Sequence, residues 1–110
     1  MEFYQDQPYL ASVACHTFAD WCLVPNQSDD EKVSIEFRRE QDELGKSLWL
    51  YQVVEGQRKP LREVCWVFDE EEEWNVRVSA MACRPAKKED VQGKQELVVS
   101  FEEASVELLD

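Results

Sequence analysis

Glu36, Arg38, Trp49, Tyr51, Arg62, Trp66, Arg77 and Met81 are the side chains whose types and spacing could do chemistry, because within each extended-looking segment they fall at alternate positions. Residues two apart on a strand share a face. If the segments carrying them are neighbours, one sheet face brings aromatic rings beside arginines and a carboxylate, with Val64 and Ser79 in the same phase. That mixture suits a sugar. A pyranose offers apolar C–H faces that stack on Trp or Tyr, and hydroxyls that exchange hydrogen bonds with Arg and Glu. The plainer reading of the same residues is an outer sheet face on which arginine stems and cation–π contacts cover the rings.

Catalytic chemistry finds less support. Glycoside hydrolysis by paired carboxylates needs two acids about 5 to 10 Å apart across a cleft. Glu36 and Glu63 both lie in strand-like segments, yet no spacing singles them out. His16 and Asp20 form an i, i+4 pair in a turn, with no nucleophile nearby of the kind a triad demands. The acidic run Asp69 to Glu73 could offer oxygen ligands to Ca²⁺. Consecutive residues point in different directions, however, so a solvated loop tip that discourages edge aggregation is the simpler account. The expectation is a protein that is not an enzyme and holds no cofactor or metal.

The elements that must position these residues read as strands. The stretch Leu61 to Pro85, LREVCWVFDEEEEWNVRVSAMACRP, alternates apolar and polar residues on both sides of its acidic middle, which predicts a long β-hairpin of Leu61–Phe68 and Trp74–Cys83. Tyr9 to His16 and Trp21 to Val24 read as strands, followed by a loop at Pro25 to Glu31, PNQSDDE, rich in turn formers. Val33 to Arg39 alternates cleanly, with Val33, Ile35 and Phe37 against Ser34, Glu36 and Arg38. Gln41 to Ser47 makes a turn, and Leu48 to Val54, LWLYQVV, is the strongest strand former. Glu55 to Pro60, EGQRKP, is a hairpin connection with glycine in second place. Arg84 to Gly93 is a charged loop, and Gln95 to Phe101 and Ala104 to Leu108 are closing strands. Helical apolar spacing is absent, so the expected architecture is all-β: seven or eight short antiparallel strands in a two-sheet sandwich, as one partial domain spanning residues 1–110.

Composition bounds the partners. A chain of 110 residues supports at most one modest core, burying roughly 60 to 70% of its unfolded surface. A formal net charge of −12 repels nucleic-acid phosphates and anionic lipid heads, so neither nucleic acid nor membrane is an expected partner. No apolar run approaches the roughly 20 residues a membrane helix needs, and the N-terminus lacks the pattern of a signal peptide, which implies a soluble, cytoplasmic chain. Cys15, Cys22, Cys65 and Cys83 are far apart, without a CxxC pair, and His16 is the single histidine. In a reducing compartment the thiols read as small buried hydrophobes; disulfides and a thiolate metal site are the lesser alternatives.

Several segments, in this order, resemble a known family: YLASVACHTFADWCLVP with its Asp20-Trp21 pair, SIEFRRE, LWLYQV, SAMACRP, and LVVSFEEASVEL. The family is the set of concanavalin A-like β-sandwich proteins of unknown function that includes the yeast regulation-of-enolase protein and Bacillus YesU. The segment Ala80 to Pro85 resembles its most recognisable signature. The resemblance covers nearly the whole chain and implies a jelly-roll sandwich, with carbohydrate binding by analogy with the superfamily. For the yeast relative it implies instead a regulatory role on a glycolytic enzyme, so a protein-interaction or regulatory module is the alternative function. No catalytic residue carries over. Family members place roughly another half-domain before the segment that matches Glu2 to Leu10, so Met1 is expected to mark a truncated product or a mispredicted gene start. Uncovered strands would then favour self-association.

Overall fold

A computed structural model describes residues 2–69, 77–83 and 97–108. The chain divides into two units, residues 1–74 and 75–110. The first unit is all-β, with two three-stranded antiparallel sheets. One contains β1 (Glu2–Tyr4), β2 (Gln7–Cys15) and β3 (Ala19–Pro25); the other contains β4 (Ser34–Asp42), β5 (Gly45–Val54) and β6 (Gln57–Val64). Strands in each sheet follow chain order, so each sheet is a meander built from tight hairpins.

Local chemistry sets each turn. Glu55 and Gly56 form the whole β5–β6 connection, both at positive φ (52° and 75°), as a primed two-residue hairpin turn requires. Glycine adopts that conformation without penalty, whereas Glu55 accepts a modest strain. The connection is thus narrower than the segment Glu55 to Pro60 that composition suggested, and Gln57 to Pro60 already belong to β6. Gln5 and Asp6 make a similar turn without any glycine, at φ 50° and 61°. At the β4–β5 turn the Asp42 carboxylate accepts N–H bonds from Leu44 (2.8 Å) and Gly45 (3.1 Å), so only Glu43 and Leu44 leave the ladder. The predicted loop after Pro25 is stitched by alternate side chains: Ser28 N–H donates to Asn26 Oδ1, Asp30 N–H to Ser28 Oγ, and Lys32 N–H to Asp30 Oδ1.

Polar side chains tie the two sheets of this unit together. Gln52, fully buried at 0% exposure, accepts from the Gln27 N–H through Oε1 (3.1 Å) and donates through Nε2 to Asn26 Oδ1 (2.6 Å). Arg62 reaches from β6 to Asp20 on β3, with 2.7 Å to the carboxylate and 3.3 Å to the carbonyl. Between these ties the apolar interior is thin: Leu10, Leu50 and Val64 are the buried hydrophobics among the described residues. Phe37, on the inner face of β4, stays 66% exposed.

The second unit departs from expectation. Of the hairpin predicted for Leu61–Pro85, the described residues form strand only as far as Val64, where β6 ends, and residues 77–83 of the second arm carry no strand. The predicted closing strands fare alike, since residues 97–108 carry none. Alternation marks a segment as able to line a half-buried sheet, but a strand exists only when a neighbour pairs it and covers one face. Val78 and Phe101, both in the apolar phase of these segments, are largely exposed, so the alternation there has little covered face to serve. The acidic residues 70–73 lie outside the described residues, while Asp69 is exposed and its N–H bonds the Trp66 carbonyl.

Cysteine burial also differs. All four thiols are free, and Cys15, Cys65 and Cys83 are exposed; Cys22 alone is half-buried. Cys15 sits at the end of β2, and Cys65 and Cys83 lie outside the strands, so none of those three has a sheet to bury it.

Candidate functional site

The outer face of the β4–β5–β6 sheet carries the residues best arranged to bind something. The register fixed by the Asp42 turn sets Arg38 opposite Trp49 and Glu36 opposite Tyr51. Trp49 and Tyr51, two apart on β5, bring their rings into an offset stack with centroids 5.9 Å apart and planes 16° from parallel. Around this stack runs a ladder of charge. Arg58 Nε donates to Glu36 at 2.9 Å, Arg38 lies between Glu36 (3.6 Å) and Glu40 (3.8 Å), and the Tyr51 hydroxyl donates to Glu40 at 2.7 Å.

The electrostatics follow from those contacts. The hydrogen bond from Arg58 holds the Glu36 carboxyl below its ordinary pKa, against a smaller opposing effect of burial, with the charges of Arg58 and Arg38 adding to the lowering. The bond to the Glu40 carboxylate pushes the Tyr51 phenol up, and Glu36 raises Arg58 further. A carboxylate with a depressed folded-state pKa contributes stability above its unfolded value, and this contribution is lost as pH falls through the folded value. The melting temperature of the native chain is therefore expected to fall more steeply than that of Glu36→Gln as pH drops below about 4.3. Parallel melts in acid would show it, and identical slopes would contradict it.

Of the residues expected on this face, Glu36, Arg38, Trp49 and Tyr51 are brought together. Arg62 and Trp66 are not. A β-bulge between Leu50 and Tyr51 pairs Leu50 with Arg62 but Tyr51 with Pro60, leaving Leu61 unmatched. Pro60 has no N–H to give to a ladder, and a bulge is where a strand tolerates it. The extra residue reverses the phase of the strand. Arg62 and Val64 turn inward beside Leu50 and Leu48, while Glu63 takes the outer place opposite Trp49. Trp66 lies beyond the strand, its ring 6.2 Å from that of His16. Arg77 and Met81 are exposed in the second unit. Sequence reasoning missed Glu40 and Arg58; the proline at position 60, in a segment read as turn rather than strand, was the signal for the phase change.

A concavity of about 410 Å³ elsewhere in the first unit is lined by His16, Phe18, Asp20, Trp66 and Asp69. His16 Nδ1 faces Thr17 Oγ1 at 3.2 Å, and Asp20 is engaged by Arg62, so the i, i+4 pair does not form a hydrogen-bonded dyad. Glu36 and Glu63 share the flat outer face with the Trp49–Tyr51 strand between them, rather than confronting each other across a cleft. Among the described residues no group of three or more His, Cys, Asp or Glu side chains could hold a metal ion. No helix among them is long and apolar enough to cross a membrane.

No family model matches the chain, and no solved structure matches it. An uncharacterized protein of Emericella nidulans is 36% identical over 110 residues, which is 100% of this chain and 51% of that protein. The chain thus spans about half the length of the curated relative it matches.

Proposed function

We propose that the chain is a non-enzymatic β-sandwich module that binds a carbohydrate or similar polyol on the outer face of the β4–β5–β6 sheet. The observation that carries this reading is the Trp49–Tyr51 stack flanked by Arg38, Arg58, Glu36 and Glu40. Rings supply a platform for the C–H face of a sugar, and the guanidinium and carboxylate groups offer donors and acceptors at its edge. The resemblance to concanavalin A-like sandwiches points the same way by analogy only, because one fold hosts many functions. Titration against a glycan panel tests it. Binding should appear for at least one glycan, and Trp49→Ala should weaken it by about tenfold, equivalent to roughly 1.4 kcal/mol. A native protein that binds nothing in the panel overturns the reading.

A regulatory module that docks on a metabolic enzyme is the second reading, and a different surface favours it. Phe37, Val13 and Trp66 border an open groove of about 280 Å³ on the inner side. Exposed apolar surface of this kind is more usual in protein contacts than in polyol sites. Binding to one purified enzyme that is lost in Trp66→Ser and kept in Trp49→Ala would select this reading. The reverse pattern would select the first.

A further inference from the structure

We propose that the outer edge of β4 is a self-complementary docking strand, which pairs antiparallel with β4 of a second copy of this chain about a two-fold axis at Phe37. The inference is independent of the glycan reading and rests on the edge itself.

An edge strand offers a row of unpaired N–H and C=O groups, and natural sheets blunt such edges with short strands, proline or bulges. The described edges differ in this respect. β1 has three residues, β3 ends at Pro25, and β6 carries Pro60 and the bulge. β4 has nine residues with no proline, and its ladder with β5 runs without a register shift. Among the described residues no strand pairs with its other side.

Charge chooses the occupant and the register. A two-fold axis perpendicular to the sheet pairs residues of like phase, so the inner faces of both copies stay on one side and the outer faces on the other. With Phe37 opposite Phe37 of the second copy, Glu36 of each chain stands opposite Arg38 of the other, at the separation where opposite charges attract across a ladder. A slip to an axis at Arg38 opposes two arginines and sets Glu36 against Glu40. A slip to Glu36 opposes two carboxylates. The Phe37 register alone among these three makes two ion pairs and opposes no like charges on that face. Arg38 is available for the exchange, because its contacts to Glu36 and Glu40, at 3.6 and 3.8 Å, are longer than hydrogen bonds. On the inner side the register covers Phe37, which is otherwise 66% exposed, with its own symmetry mate. The result is a continuous six-stranded sheet with two Trp49–Tyr51 stacks on one outer face.

Charge reversal tests the register. By analytical ultracentrifugation the native chain should show a concentration-dependent dimer that weakens with added salt. Glu36→Arg and Arg38→Glu should each weaken dimerisation at least tenfold, since each homodimer then sets two like-charge pairs across the two-fold. Mixing the two variants should restore dimers, because every cross-strand pair in the heterodimer is again of opposite sign. Phe37→Asp removes an exposed ring without touching the interior, and it should also give monomers, guarding against a misfolded charge variant. A native chain that stays monomeric across the concentration range, or single reversals that dimerise as the native chain does, overturns the proposal. Glycan titration reads the outer face separately, so either idea can fail without the other.

Discussion

Replacing Gln52 with alanine is expected to lower the stability of the first unit by about 3 kcal/mol, a large part of the roughly 5 to 15 kcal/mol typical of small domains. Gln52 is the largest fully buried side chain among the described residues, and its amide is used at both ends. The orientation is fixed from outside: Asn26 Oδ1 already accepts the Ser28 N–H, so it presents an acceptor to Gln52 Nε2, which leaves Gln52 Oε1 to take the Gln27 N–H. Alanine removes both partners, strands a half-buried donor and acceptor, and leaves a void where the two sheets meet. Gln52→Glu sharpens the test. Its second oxygen would face Asn26 Oδ1, so the ionised form is disfavoured and the folded-state pKa rises above the unfolded one. Its stability should therefore match the native chain most closely below about pH 4 and fall as pH rises. Urea melts of both variants between acid and neutral pH measure this. A Gln52→Ala midpoint unchanged from native would mean that the sheets are not joined through this amide.

That amide also marks a boundary of what was legible from residues alone. Alternation in LWLYQVV puts Leu48, Leu50 and Val54 on one face and Trp49, Tyr51 and Val53 on the other, and the structure keeps that division. Gln52 falls in phase with the apolar set, and a lone polar residue in that phase announces a buried hydrogen bond, but not its partner. Asn26 and Gln27 are 26 and 25 residues away, in a loop whose path depends on the other sheet. The strands around Tyr9–His16, Trp21–Val24, Val33–Arg39 and Leu48–Val54 were readable because local alternation and tertiary cover agree there. Leu61 to Pro85 looked at least as regular, yet its described residues after Val64 carry no strand, since periodicity records a capacity for pairing and not the presence of a neighbour. For the site, the pairing of Glu36 and Arg38 with Trp49 and Tyr51 followed from two clean strands and one turn. The loss of Arg62 followed from a single unmatched residue, Leu61, which inverts every side chain after it, and the gain of Arg58 from β6 starting at Gln57, inside the segment read as turn.

The second large effect concerns the inner face, where Leu50→Ala is expected to cost about 2 to 3 kcal/mol and Phe37→Ala less than about 0.5 kcal/mol. The two residues are directly opposite on β4 and β5 and line the same groove, yet Leu50 is 6% exposed and Phe37 66%. Truncating Leu50 loses nearly the full transfer free energy of a buried side chain, about 2 kcal/mol. The groove beside it is open, so solvent fills the space and the additional cavity penalty stays small, placing the effect near the low end for leucine. Phe37 has little burial to lose within one chain. Urea unfolding followed by tryptophan fluorescence, at low protein concentration, should show this contrast as a shifted midpoint with an unchanged slope. The contrast should shrink as concentration rises if β4 pairs with its copy, because Phe37 then gains a partner and the native state is stabilised by mass action. Equal costs at every concentration would instead mean that Phe37 is covered within a single chain, and the two-fold pairing would lose the exposed ring it was built to bury.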